Sequence, residues 1–561
     1  MYLLKNILAI LVLSIGYVNY TLSQNTSKPK LVLGIVIDQM AFNNLYKYES
    51  RYGEGGFKRL LKEGYNFKNT HVNYVPSETA PGHAAIYTGT TPAYHGIIGN
   101  SWFDRVSNVV IGNVADTASL LIGPKTKNIP AASPKNLMTN SIADELRIAS
   151  NFKSKVISIS LKDRGAILPA GKSANAAYWH DWRATSGHFV TSSHYMKALP
   201  KWVKNFNKLE RSDAFLDQTW NTLYPIETYT SSTADSTVYE PAIGGKPAPT
   251  FPYEFKSIRE NYRGQGTEYQ LLWASPWGNT LLTEFAIEAL KNEALGADEH
   301  PDLLNVSYSV PDVIGHTFGP QSVEMEDIYL RLDKDLAILF DSLDMLIGND
   351  DYVVFLTADH GAISNAAFLA DNKIETGVAR IDKYKVSLHQ YLGKKYGKNN
   401  WIQYFEGNNI YLNKAKINEN NLSFRDVQDD VVDFMVAQEG VFSALSAHDL
   451  QTQNYEDGHR QIVQNGYYSK RSGDIVLTFD FGVVQNINPR IKIANVKGTV
   501  HGSAYSYDTH IPLLFMGKGI PKGESIDKTH ITDIAPTLAM LLNVQIPSVF
   551  QGHPLGALFE E

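Results

Sequence analysis

Short apolar runs, each followed at once by polar residues, recur along the chain. Leu31–Ile37, Val156–Ser160 and Tyr352–Thr357 are rich in β-branched residues and bounded by polar or turn-forming ones. Such runs are typical of strands buried on both faces of a parallel sheet. Leu303–Val310 and residues 511–517 add two further strands. The pattern therefore predicts an α/β fold with a central, mostly parallel sheet flanked by helices.

Helical patterns separate these strands, and two long segments interrupt them. Residues 275–291, 322–346 and 529–547 have helical character, and the second of these is amphipathic, so we expect it to pack on the sheet. Two other segments have weak or mixed periodicity and are interpreted as insertions over the core. The predicted organisation is a signal peptide (1–23), core (24–171), cap insertion (172–290), core (291–374), second insertion (375–485) and C-terminal core (486–561).

The N-terminus has the three parts of a secretory signal. Lys5 precedes an apolar run of about a dozen residues, and Thr21-Leu22-Ser23 offers a small-x-small cleavage site. The run is shorter than the roughly 18 residues of a membrane span, and no later segment approaches that length. The sequence thus predicts a cleaved signal peptide, a periplasmic or secreted protein and no membrane anchor.

Composition narrows the chemistry. The chain has 51 basic and 58 acidic side chains, and removal of residues 1–23 leaves 50 − 58 = −8, which argues against a nucleic-acid partner. It has no cysteine, so disulfides and thiol ligands are excluded and any metal must be held by histidine and oxygen. The oligomeric state stays open, with a monomer slightly favoured.

The segment Asn73–Thr90 predicts a loop that leads into a short Ala-rich helix. Thr79 falls at the predicted N-cap, with Pro81 in the first turn. Unpaired N–H groups and the helix dipole favour an anion there, either a threonine alkoxide or a bound phosphate. An isolated threonine in this position is most often only a cap, and polar residues elsewhere decide between the two interpretations.

Several Asp and His residues follow predicted strands, where ligands bind in open α/β sheets. Asp38 follows the first strand, and Asp359-His360-Gly361 follows residues 352–357. Asp312 and His316 are spaced i and i+4, so both can reach one ion if the segment is helical. Each alone has an ordinary structural explanation. The last candidate is His501, whereas His510 is interpreted as structural.

Three further residues suit an anionic ligand. Lys162 and Arg164 follow the strand Val156–Ser160, and in an extended segment their side chains would point the same way. Asn100 lies in a Gly-broken loop and offers an amide donor. A solvated loop would tolerate both cations, and a turn would tolerate the asparagine.

Formal charge links these candidates. Six nitrogen or oxygen ligands are too many for one tetrahedral zinc and suit two metals. Two divalent ions carry +4, which three carboxylates and one threonine alkoxide balance. Lys162 and Arg164 then add +2, which matches a phosphate monoester dianion better than a diester monoanion.

Six motifs occur in the order of a known family: DQM, NYVPSETAPGHAAIYTG, KDR, PDxxGH, ADHG and HGSxYxYDTHIPLLF. Together they resemble the alkaline phosphatase superfamily, and more narrowly its phosphate-irrepressible, PafA-type members. The resemblance implies a central sheet flanked by helices, two zinc ions and a phosphothreonine intermediate on Thr79. The resemblance argues against a third, magnesium site. Such a site would need a cluster of acidic residues, and this sequence has Lys162-x-Arg164 instead.

The resemblance also assigns residues. It implies one zinc held by Asp312, His316 and His501. It implies a second held by Asp38, Asp359 and His360, with Thr79 beside it as nucleophile and as a hydroxyl ligand of the metal. Asn100, Lys162 and Arg164 would contact the phosphate oxygens of small-molecule monoesters.

Other functions remain open. A phosphodiesterase of the same superfamily would share the metals and the threonine, and Lys162 with Arg164 argues against it. No Cys or Ser-x-Pro-x-Arg motif supports a sulfatase, and the signal peptide argues against a phosphoglycerate mutase. A non-catalytic zinc- or phosphate-binding protein is the alternative from another class, and the presence of Thr79 counts against it.

Overall fold

The computed structural model describes residues 28–124, 130–182, 186–262, 265, 267–486, 492–547 and 551–559. The predicted signal peptide lies outside them. Within these ranges, no helix combines the length and the apolar character that crossing a bilayer requires.

The largest sheet of the described residues has eleven strands, and its apolar side chains belong to the main core. The predicted strand Leu31–Ile37 is central in it and fully buried, as its unbroken apolar sequence requires. From edge to edge the strands are Gly523–Ser525, Tyr65–Phe67, Leu513–Gly517, Tyr352–Thr357, Leu31–Ile37, Asp302–Tyr308, Val156–Ser160, Ala176–Asp181, His188–Ser192, Ala115–Ile122 and Pro130–Ala132.

The middle of this sheet is parallel. Leu31–Ile37 pairs in parallel with Asp302–Tyr308 on one side and with Tyr352–Thr357 on the other. Val156–Ser160 and Ala176–Asp181 continue the parallel order, whereas the next strands on either side run antiparallel. The carboxyl ends of five strands therefore meet at one edge, and the predicted fold class is confirmed.

Helices lie along the chain between these strands. The amphipathic pattern at residues 322–346 forms Val323–Leu346, with fifteen buried residues along its length. The α-helices are Phe42–Lys47, Phe57–Glu63, Thr79–Thr88, Pro92–His95, Ile142–Ala149, Asp163–Ala170, Lys201–Asn207, Arg211–Leu216, Phe255–Glu260, Gln270–Trp273, Trp277–Asn292, Val310–Phe318, Val323–Leu346, Ala366–Asp371, Ile381–Tyr396, Lys414–Glu419, Phe424–Val436, Ala447–Thr452, Gly458–Gly466, Ser506–Thr509 and Ile534–Leu542.

Five smaller sheets complete the described part of the fold. The largest of them, with four strands, lies within the predicted second insertion. The sheets are Ile402–Glu406 with Asn409–Leu412, Ile475–Phe479 and Val441–Ser446; Thr70–His71 between His510–Ile511 and Thr529–His530; Gly377–Arg380 with Val483–Asn486; Ser101–Asp104 with Val109–Gly112; and Thr219–Trp220 with Tyr253–Glu254.

The two predicted insertions differ in their packing. Residues 379–479 contribute a separate hydrophobic cluster that includes Leu388, Trp401 and Leu477. In residues 172–290, by contrast, Ala176–Asp181 and His188–Ser192 extend the central sheet. The division into core segments and insertions stays a prediction.

A glycine lets the Thr79–Thr88 helix approach the central strand. A Cβ built on Gly34 would lie 2.6 Å from the Tyr87 hydroxyl and 2.7 Å from the Phe355 ring.

We expect Gly34→Ala to destabilise the protein by about 1–3 kcal/mol through overpacking. Gly393, inside Ile381–Tyr396, has no atom within 4 Å of such a Cβ. Gly393→Ala is the matched control and should stabilise by about 0.5–1 kcal/mol, because alanine is the better helix former. Denaturant titrations measure both, and equal effects would contradict the packing.

Candidate active site

Three buried carboxylates meet at the carboxyl edge of the parallel strands. Strand order explains the convergence, because the three strands that precede them are neighbours in the sheet. The carboxylates are Asp38 directly after Leu31–Ile37, Asp312 in the helix Val310–Phe318 after Asp302–Tyr308, and Asp359 two residues after Tyr352–Thr357.

Among the described residues, two groups of three have ligand atoms within 4.8 Å of one another. The first, here the Asp38 group, consists of Asp38, Asp359 and His360. His360 Nε2 lies 3.6 Å from Asp38 Oδ1 and 3.7 Å from Asp359 Oδ2. Within the described ranges, these three ligand atoms are buried and have no hydrogen-bond partner. Such orphaned atoms fit a metal ion, which would take the place of the missing partners.

The second, here the Asp312 group, consists of Asp312, His316 and His501. His316 Nε2 lies 3.1 Å from Asp312 Oδ1, and His501 Nε2 lies 3.6 Å from the same oxygen. The His501 ring stacks on His360 with 3.7 Å between centroids, so the two groups are in direct contact. The i, i+4 spacing of Asp312 and His316 does fall on a helix, as the sequence predicts.

All three histidines are oriented in the same way. Nδ1 of His316 contacts the Thr499 carbonyl at 2.8 Å, and Nδ1 of His501 contacts the Ser77 carbonyl at 2.8 Å. Nδ1 of His360 contacts its neighbour's carbonyl at 2.9 Å. Since a carbonyl only accepts, Nδ1 carries a proton in each ring, and Nε2 is the nitrogen that faces the group and could bind an ion.

Lys162 lies between the two groups. Its Nζ is 2.5 Å from Oδ2 of Asp38 and 2.5 Å from Oδ2 of Asp312. The predicted extended geometry is wrong, because a helix begins at Asp163 and Lys162 is the residue before it. Arg164 is therefore in the first helical turn. It lines a cavity of about 520 Å³ together with Asn100, and neither Lys162 nor the six candidate ligands line that cavity.

Burial and neighbouring charges shift the pKa values of Asp38, Lys162 and His501. Burial, together with the carboxylates of Asp312 and Asp359, raises the pKa of Asp38 to about 7. Burial disfavours the Lys162 ammonium, but the Asp312 and Asp38 carboxylates hold its pKa above the ordinary value. Burial and the neighbouring imidazoles hold the pKa of His501 well below its ordinary value, so His501 is neutral, the form that binds metal.

Thr79 is the first residue of the helix Thr79–Thr88 and is buried. The prediction that it is the N-cap is wrong, since Glu78 takes that position without a side-chain capping bond. Asn100, from a distant loop, caps the helix instead, because its side-chain Oδ1 accepts the Ala80 N–H at 3.1 Å. The backbone N–H of Asn100 donates to Glu78 Oε2 at 2.7 Å. Among the residues that the structure describes, the amide Nδ2 of Asn100 donates no hydrogen bond.

Two contacts bring this helix to the Asp38 group. A Cβ on Gly82 would lie 2.5 Å from Asp359 Cβ, so only glycine permits the approach. His83 Nδ1 lies 2.8 Å from the Thr79 carbonyl and 3.3 Å from Asp359 Oδ2, and its Nε2 bonds to Ser307 Oγ at 2.8 Å.

Sequence reasoning missed His83 and also Gln39, whose amide contacts Asp312. Gln39 lies in the motif DQM and His83 in the motif NYVPSETAPGHAAIYTG, so membership of these motifs could have indicated a role for both residues. His510 lies outside both groups, as expected. It stacks between Phe42 and His71.

Comparison with known proteins agrees with this geometry. A family model described as type I phosphodiesterase / nucleotide pyrophosphatase matches residues 32–503, and the chain belongs to this family. It is 40% identical over 551 residues to alkaline phosphatase PafA of Elizabethkingia meningoseptica, with 98% of each chain covered. The wild-type PafA crystal structure matches with a TM-score of 0.88 at 40% identity over 94% of this chain and 99% of that chain. The PafA mutant T79S, N100A, K162A, R164A matches with a TM-score of 0.87 at 39% identity over 94% and 98%.

The predicted PafA-type resemblance is therefore confirmed, and the two groups form a candidate metal centre. We expect purified protein to hold about two divalent ions, and Asp38→Asn or Asp312→Asn to remove about one each, because every group depends on its carboxylate. Asp302→Asn is the matched control, a buried strand aspartate at the opposite edge of the sheet that accepts backbone N–H groups. Elemental analysis after dialysis measures this, and unchanged metal content in both site variants would contradict the assignment.

Proposed function

We propose that the protein is a di-zinc alkaline phosphatase that hydrolyses a broad range of phosphate monoesters through a phosphothreonine on Thr79. The observation that carries this proposal is the contact between the two metal-ligand groups and the N-terminus of the Thr79 helix. Asp359 belongs to one group and also contacts that helix through Gly82 and His83. The similarity to PafA over nearly the whole chain supports it.

The donor set supports two zinc ions. Each group offers three nitrogen and oxygen ligands, which suits zinc with one position left open. Asp312, His316 and His501 would hold one ion, and Asp38, Asp359 and His360 the other, with the Thr79 oxygen beside it. Bound zinc supplies Lewis-acid stabilisation of the attacking and leaving oxygens.

The chain's own residues bind and orient the phosphate. The N-terminus of the helix Thr79–Thr88 would place its positive dipole end beside the phosphate, whereas the Ala80 N–H already donates to Asn100 Oδ1. Asn100 and Arg164 line one cavity and would contribute an amide and a guanidinium to the phosphate. Lys162, between Asp38 and Asp312, contributes a charge that both carboxylates keep protonated. These donors match the dianion of a monoester.

The reaction takes two displacements. In the first, Thr79 Oγ bonds to phosphorus while the ester P–O bond breaks. The proton that the hydroxyl loses passes to solvent, and the departing alkoxide takes a proton from solvent to leave as the alcohol. In the second, water bonds to phosphorus, the Thr79 oxygen leaves and regains a proton, and phosphate departs. Two in-line inversions give net retention at phosphorus. Positioning and charge stabilisation supply most of the rate.

Two alternatives remain and have separate tests. The family description names a phosphodiesterase, which would need one cation fewer at the phosphate. A non-catalytic zinc- or phosphate-binding protein would keep the metals without turnover. We further propose that the protein is exported after cleavage of residues 1–23 and lacks a third, magnesium site.

The nucleophile is tested by Thr79→Ala. We expect turnover of an aryl phosphate to fall by at least about 10³-fold, because the covalent step is lost. Metal content should stay unchanged, because the ligand groups do not depend on the methyl or hydroxyl of Thr79. Thr88→Ala is the matched control in the same helix, where the hydroxyl only bonds to the Ala84 carbonyl. Retained turnover in Thr79→Ala would refute the nucleophile.

Substrate class is tested by Arg164→Ala. Loss of a charged donor should lower kcat/KM for a monoester by about 10–100-fold, since hydrogen bonds to charged groups contribute about 1.5–3 kcal/mol. A matched diester carries one charge fewer and should be affected much less. Lys172→Ala, an exposed cation after the same helix, should change neither. Equal losses for the two substrates would favour the diesterase.

A further inference from the structure

Gln39 touches both metal-ligand groups at once. It follows Asp38 directly, is 4% exposed and adopts a left-handed backbone conformation with φ of 65°. Its side-chain Nε2 donates to Asp312 Oδ1 at 2.7 Å. Its backbone N–H donates to Asp359 Oδ1 at 3.1 Å. One residue therefore supports a carboxylate of each group, with a different part of its structure.

We propose that Gln39 is a positioning residue whose side-chain amide fixes the Asp312 carboxylate for metal binding, while its backbone fixes Asp359 independently. The proposal rests on metal occupancy of the two groups, as in the proposed function. It predicts an asymmetry, because a side-chain substitution removes only the contact to Asp312. Hydrogen-bond partners of ligating carboxylates typically contribute 10- to 100-fold in metal affinity.

Gln39 and Lys162 both contact the Asp312 carboxylate, but the two contacts differ. Lys162 binds Oδ2 of both Asp38 and Asp312, so it supports the two groups alike. Gln39 binds the other oxygen of Asp312, the one that also faces His316. Donors on both oxygens hold the carboxylate plane, and only the amide acts on the Asp312 group alone.

Neighbouring backbone confines the amide. A Cβ on Gly315 would lie 1.9 Å from Gln39 Oε1, so the helix that carries His316 is packed directly against this side chain. Gln39 thus has little freedom to turn away from Asp312. On the other side, Asp359 Oδ1 accepts a second N–H, from His360 at 3.0 Å, which leaves Oδ2 facing the group.

Gln39→Met tests the proposal, since methionine has similar length but no donor. Apoprotein is titrated with Zn²⁺ against a competing chelator. We expect one of the two equivalents to bind about 10- to 100-fold more weakly, with the other within about threefold of wild type. When Gln39→Met is added to Asp359→Asn, zinc affinity should fall as much as it does in the otherwise wild-type protein. When Gln39→Met is added to Asp312→Asn, it should cause no further fall in zinc affinity.

Gln428→Met is the matched control, a buried glutamine whose Nε2 donates to the Asp474 carbonyl at 3.0 Å away from the site. It should leave both zinc affinities unchanged. Should Gln39→Met fail to fold, Gly315→Ala displaces the Gln39 amide with every ligand retained, and the same selective loss is expected. Wild-type affinity at both sites, or equal loss at both, would overturn the proposal. Absence of zinc binding in wild type would instead refute the proposed function.

Discussion

Repulsion among three buried carboxylates is the constraint on which this structure depends. Asp38, Asp312 and Asp359 converge because the strands before them are neighbours and end at the same edge of the sheet. Carboxylates so placed are costly unless cations compensate them. Lys162 compensates two of them directly, while burial and then the neighbouring carboxylates raise the pKa of Asp38. Divalent ions bound to the two groups would supply the remaining positive charge.

The surrounding fold serves this arrangement. Backbone carbonyls accept hydrogen bonds from Nδ1 of His316, His360 and His501, and these bonds hold each ring with Nε2 facing the carboxylates. Gly34 and Gly82 let the Thr79 helix pack against the central strand and against Asp359. Thr79, Asp312 and His316 are carried by helices, whereas Asp38, Asp359 and His360 lie in the short segments directly after buried strands. Packing against the sheet therefore fixes the backbone of these candidate residues.

Much of this was predictable from local sequence. Unbroken apolar runs predict strands such as Leu31–Ile37, and polar residues directly after them, such as Asp38, are the candidate ligands. Contacts between distant segments were not predictable in this way. The capping of the Thr79 helix by Asn100 and the bridge made by Gln39 depend on tertiary packing. The strand Ala176–Asp181 was hidden because its apolar run, AAYW, is short, lacks β-branched residues and is followed by His180 and Asp181.

The most direct test of the central claim is anomalous diffraction at the zinc edge from crystals of the purified holoprotein. The account predicts two peaks about 4 Å apart, one within Asp38, Asp359 and His360 and the other within Asp312, His316 and His501. The Thr79 hydroxyl should face the first. A single peak, peaks outside these residues, or a threonine oxygen turned away from both ions would contradict it.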